Sequence, residues 1–83
     1  MITSAQCRAA RGLIGWSQQQ LASKAQVGIV TVHQLEAGTS EPRHSTLDVI
    51  KRAFELAGVE FIDENGGGPG VRLRKRQRPK QPK

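Results

Sequence analysis

Aromatic side chains are scarce in this chain, cysteine occurs once, tyrosine is missing, and no apolar run is long. Each shortage excludes something. The three aromatics, Trp16, Phe54 and Phe61, are too few to form the paired stacking positions by which sheet proteins hold single-stranded RNA. The lone Cys7 rules out an internal disulfide and fits a reducing compartment. It recurs with Ala10, Arg11 and Ile14 at helical spacing, which predicts a buried structural thiol packed as a small apolar residue. No stretch approaches the ~18 apolar residues that cross a bilayer, and the N-terminus lacks a signal-peptide pattern. A soluble, cytoplasmic protein with no membrane partner is expected. The two histidines, His33 and His44, have no metal-ligand spacing and belong to no nucleophile–base set. No metal, cofactor or enzymatic activity is therefore expected. The run GGGPG at residues 66–70 lacks the Lys-Ser/Thr and the following helix of a phosphate loop and reads as a flexible turn.

Acidic residues are missing from one end. Residues 72–83 hold Arg72, Arg74, Lys75, Arg76, Arg78, Lys80 and Lys83 with no Asp or Glu, a charge of +7. Residues 1–71 hold six Lys/Arg against seven Asp/Glu, a charge of −1. The overall +6 thus belongs to the tail. A polyanion partner suits the tail, but net charge alone does not assign one to the body. With 83 residues the chain makes one small domain, which buries only roughly 60% of the surface its unfolded chain exposes. A partner subunit would widen that thin margin.

Helix punctuation divides the body. A cap-capable Thr3 or Ser4 opens a first helix at about residues 4–13, stopped by Gly15. Ser17 caps a second helix, QQQLASKA, with Leu21 and Ala25 on one face. After the tight turn QVG, a third helix runs from about Ile29 to Ala37 and stops at Gly38. Ser45 and Asp48 are expected to cap a fourth helix in the manner of a capping box. Its apolar stripe is Leu47, Ile50, Ala53, Phe54 and Ala57, and Gly58 stops it. The period then changes. VEFID and VRLR, separated by ENGGGPG, read as a β-hairpin. Such a hairpin is marginal alone, so it must lie on the helices or pair with a second chain. RQRPKQPK has no apolar residue and two prolines and is expected to be disordered.

The second and third helices form the arrangement that puts one helix into a DNA major groove, which is about 12 Å wide. Val32 and Leu35, three apart, can face inward against Leu21 and Ala25. Ile29, Val30, Thr31, His33 and Gln34 are then left on the outward or flanking faces. The aliphatic pair Ile29 and Val30 cannot hydrogen-bond a base, but it can touch a thymine methyl; Gln34 suits adenine. Thr31 can meet base or phosphate, and His33 is placed near the rim. The other reading of Ile29 or Val30 is packing against the body or a protein partner.

WSQQQLASKAQVGIVTVHQLEAG, residues 16–38, resembles the helix-turn-helix of the lambda-repressor-like family, also called the xenobiotic-response-element family. Gln18, Leu21, Ala22, Ala25, Val27, Val32, Leu35, Glu36 and Gly38 stand at matching positions, and the likeness extends over about residues 3–59. Two departures stand out. Gln26 occupies the usual turn glycine, which predicts a left-handed backbone on a non-glycine residue. Gly28 occupies the usual Ser/Thr cap and has no side-chain acceptor. The resemblance implies that Gln18 contacts a DNA phosphate, with Thr39, Ser40 and Arg43 as further phosphate candidates. It also implies a structural ion pair between Arg11 and Glu36.

The expected fold is mainly α: a four-to-five-helix lambda-repressor-like domain over residues 1–58, a β-hairpin over 59–75 and a disordered basic tail over 76–83. The function implied is a bacterial transcriptional regulator, for instance a repressor of its own gene or of a mobile element. It would bind an inverted repeat in double-stranded DNA as a homodimer. Val59, Phe61, Ile62, Val71 and Leu73 are the dimerisation candidates through a four-stranded intermolecular sheet; the region of the fourth helix is the alternative surface. RNA polymerase or another protein is a further partner to consider. From a different class comes the second reading, an antitoxin-like interaction module whose residues 59–83 hold a partner protein.

Overall fold

A computed structural model describes residues 2–63 and 66–74. Its first two helices begin at reciprocal caps. At α1 (Ser4–Ile14), the Thr3 hydroxyl accepts from the Gln6 N–H and the Gln6 amide oxygen accepts from the Thr3 N–H, each at 3.0 Å. Ser17 and Gln20 repeat the device at α2 (Gln18–Ala25), at 3.0 and 2.8 Å. Each box satisfies two helix-end donors that would otherwise be orphaned. α3 (Ile29–Ala37) follows Gly28 and ends at Gly38, whose φ of 72° is the left-handed turn that closes a helix. There are four helices among the described residues, the last being α4 (His44–Leu56).

The expected cap of α4 is corrected. The helix begins at His44, with Arg43 as N-cap and no side-chain hydrogen bond there, so Ser45 and Asp48 lie inside it. Pro42 before Arg43 gives the reason, since it leads the chain in and leaves the turn two residues earlier than the Ser-x-x-Asp spacing suggests. Ala57 also leaves the expected stripe: it is the C-cap and is exposed, and Leu47, Ile50, Ala53 and Phe54 form the buried face.

Gln26 caps α2 at φ 59°, the one described non-glycine residue with positive φ. A side chain there costs roughly 1–2 kcal/mol. Gln26→Gly is therefore expected to stabilise the protein by about 1 kcal/mol, after the extra flexibility of an unfolded glycine is allowed for. Urea denaturation of the two proteins checks this; an unchanged or lower midpoint would show that Gln26 makes a compensating contact.

α1 packs on α3, and α2 packs on α3 and α4. Cys7, Leu21, Val32, Ile50, Phe54 and Val59 are the largest fully buried side chains among the described residues. Phe54 joins the layers: its ring stacks on Trp16 at 5.5 Å and meets Phe61 at 5.9 Å, at an angle. The three aromatics that looked scattered in sequence thus form one column. The hairpin, β1 (Val59–Ile62) with β2 (Gly70–Leu73), is antiparallel with Val59 opposite Leu73 and Phe61 opposite Val71. It lies on α1 and α4. Gln6 secures its turn end, with its buried amide donating to the carbonyls of Ile62 and Gly70 at 3.3 and 2.9 Å.

The set of dimerisation candidates changes accordingly. Val59 is fully buried, and Phe61 and Val71 pack against the core of their own chain. Ile62 is half-buried and Leu73 is 51% exposed. Three of the five side chains are thus used within the chain, because a two-stranded sheet must bury one face to be stable. The expected disorder of 76–83 concerns residues outside those described.

Candidate nucleic-acid interface

The third helix, α3, has its sides assigned by what holds it. Val32, Leu35 and Glu36 are buried. Val30, His33, Gln34 and Ala37 are exposed, Val30 by 60%. Their spacing of three, four and seven puts them on one stripe. Ile29 does not share it. It is half-buried and packs against the core, so the expected bare pair is split and only Val30 is free. Spacing explains this, and could have shown it beforehand: Ile29 is three residues before Val32 and seven before Glu36, on the buried stripe. Thr31 is half-buried at the flank. His33, expected near the rim, lies on the exposed stripe with Val30 and Gln34.

Glu36 is the hub that fixes this helix. Its two carboxylate oxygens accept from Arg11 Nε at 2.7 Å and Nη2 at 2.8 Å, a two-pronged ion pair. The Glu36 side chain is 4% exposed and that of Arg11 22%. Gln18 Nε2 donates to Oε1 at 3.0 Å and the Cys7 thiol to Oε2 at 3.2 Å. Burial pushes the carboxyl pKa up, but the hydrogen bonds from Arg11, Gln18 and Cys7 outweigh it and hold the group below its ordinary value. The Cys7 thiol is driven far up, first by burial and then by its bond to Glu36. It stays protonated and is a donor, not a nucleophile. Arg8 adds a hydrogen bond to the Glu36 carbonyl near the end of α3. α1 and α2 are thereby tied to α3 through one carboxylate.

Gln18 is consequently engaged within the chain. One amide hydrogen goes to Glu36, which leaves the second for another acceptor. The carboxylate also sets the amide's sense, because a Gln18 oxygen turned toward Glu36 would meet like charge. Thr39, Ser40 and Arg43 are exposed in the segment between α3 and α4. Arg43 is the N-cap of α4, and neither α3 nor α4 has a side-chain cap. The first-turn N–H groups of α4, with His44 and Ser45 exposed beside them, suit an anion. Ser45, expected from the sequence to be a cap, and His44 fall in this first turn because the helix starts earlier than the Ser-x-x-Asp spacing predicts.

Among the described residues no group of three or more His, Cys, Asp and Glu is placed to hold a metal. No described helix is long and apolar enough to cross a membrane.

Comparison with known proteins agrees with this geometry. A helix-turn-helix family profile matches residues 8–61. No curated protein matches the chain significantly. The match covers α2 and α3, the Arg11–Glu36 pair that joins them to α1, and α4. The chain belongs to the lambda-repressor-like, Cro/CI-type helix-turn-helix family of DNA-binding regulators.

Proposed function

We propose that the protein is a transcriptional regulator that binds an inverted-repeat operator as a homodimer, with α3 of each copy in a major groove. The bare stripe Val30–His33–Gln34–Ala37 on a rigidly held helix carries this reading. Val30 meets a thymine methyl and Gln34 hydrogen-bonds adenine, with His33 and Thr31 beside them. Ile29 sets the depth of the helix from within rather than reading a base. Gln18, Thr39, Ser40, Arg43 and the open end of α4 grip phosphates, which sets register without reading sequence. The cations after Leu73 add salt-dependent, sequence-independent affinity. One helix reads only a few base pairs; a two-fold pair reads half-sites ~34 Å apart or a multiple of it.

Selection from a random duplex library tests this, with the full chain and a version ending at Lys75. A T/A-containing inverted repeat is expected. Removing the tail should weaken all sites alike and flatten the dependence on salt. A selection that returns no motif, with binding wholly tail-dependent, would sink the operator reading. The second reading, an antitoxin-like module whose residues 59–83 hold a partner, is favoured by Leu73, 51% exposed in β2; it would then be the one to pursue.

A further inference from the structure

α1, α3 and α4 leave a cleft between them, beside the segment that joins α3 to α4. Its apolar floor is Ile2, Leu35 and Leu47, and Ser4, Ser40 and Glu41 stand at its rim. Its volume is about 420 Å³, within the ~300–1,000 Å³ of ordinary small-ligand pockets. An apolar hollow with a few converging polar groups is the usual form of such a site.

The two walls are held differently. The α1 wall is fixed by the Thr3–Gln6 capping box. Opposite it, the Thr39 N–H is the last to bond back to α3, and the next bonds are those of Thr46 and Leu47 to the Arg43 carbonyl. Among the described residues no main-chain hydrogen bond reaches Ser40 or Glu41. A segment with so few bonds rearranges locally at little cost, so this wall adapts to what the cleft holds.

Charge selects the occupant. Glu41 is the one charged residue lining the cleft. It is exposed, and neither ion pair found among the described residues includes it. A lone carboxylate repels anions and attracts a cation. One carboxylate is too few for a metal, and among the described residues no acidic or His/Cys cluster supplies more. An ammonium group has three donors, and the rim offers a carboxylate and two hydroxyls.

We propose that this cleft binds a small primary amine with a compact apolar body, and that the amine tightens operator binding. The effect on DNA rests on the phosphate contacts proposed above for Thr39, Ser40 and Arg43; the site does not. Glu41 lies between Ser40 and Arg43, so its charge opposes a phosphate held there. An ammonium paired with it removes the opposition. By bridging from α1 the amine also orders the segment in advance, which lowers the ordering cost left for DNA.

Phenethylamine tests the site, with phenethyl alcohol as its neutral match. Added to the whole chain at neutral pH, the amine should shift the amide resonances of Ser4, Ser40 and Glu41 saturably. The alcohol should bind about threefold to fivefold more weakly, the range of one exposed ion pair. Glu41→Gln should remove that difference. Ser4→Leu, which fills the cleft from α1, should abolish binding of both. Equal binding of amine and alcohol by the native protein, or shifts untouched by Ser4→Leu, would overturn the site. At constant ionic strength, saturating amine should raise affinity for the selected operator about fivefold, the low end of ordinary coupling, and operator should raise amine affinity by the same factor. Glu41→Gln should bind the operator more tightly without amine and no longer respond to it. An occupied cleft with unchanged operator affinity would overturn the coupling alone. A protein that takes up the amine but selects no operator would overturn the operator reading, and the site would stand.

Discussion

Glu36→Gln should cost about 3–5 kcal/mol of folding stability, nearer the lower figure. Breaking a buried ion pair from one side leaves the other charge uncompensated, and this sets the scale. Arg11, with 22% of its side chain exposed, can recover some hydration, which moderates the loss. Globular domains hold roughly 0.05–0.15 kcal/mol per residue, so a chain of this size has about 4–12 kcal/mol in all. The variant therefore risks a large share of it. Urea denaturation at neutral pH measures the loss; a change below about 1 kcal/mol would show that Arg11 and Gln18 find other partners.

The same carboxylate predicts the acid response. Its folded pKa lies below the ordinary value, so its contribution is fully present above the unfolded pKa of ~4.3. It is lost as pH falls through the lower, folded value. The native protein should lose stability over that acidic window more steeply than Glu36→Gln, which has no proton to take up there. Parallel acid slopes for the two proteins would remove Glu36 from the account.

Gln34→Ala should weaken operator binding by about 1–3 kcal/mol, roughly 5–150-fold, if its amide makes the paired contact to adenine. The loss should be confined to one base-pair position in each half-site. Elsewhere the preference should persist, and non-specific affinity and the salt slope should not move, because phosphate contacts are untouched. Val30→Ala gives the contrast: a smaller loss limited to thymine preference. Titration of the selected operator and of its single-base variants separates these outcomes. A uniform loss across all sequences would reassign Gln34 to the DNA backbone.

The helices could be read from the chain because their signals are local. Thr3, Ser17, Gly28 and Gly38 mark ends with chemistry contained in four or five residues. Val32 and Leu35 fix the inner side of α3 by spacing alone. The start of α4 was not legible because Ser45 and Asp48 offer a capping pattern, whereas the helix begins after Arg43 with no side-chain cap. Gln26 also announced itself, since a turn that normally takes glycine leaves little choice of backbone.

The sequence by itself determined the helix-turn-helix, the hairpin and the concentration of positive charge at one end, all set by periodicity, punctuation and composition. Only the tertiary structure decided how residues far apart in the chain share one site. It gathered Cys7, Arg11 and Gln18 around Glu36, from positions 18 to 29 residues away. It also laid the hairpin on its own helices, 56 and 64 residues from the Gln6 that secures it. Such contacts depend on three-dimensional packing, and nothing in local spacing encodes their geometry.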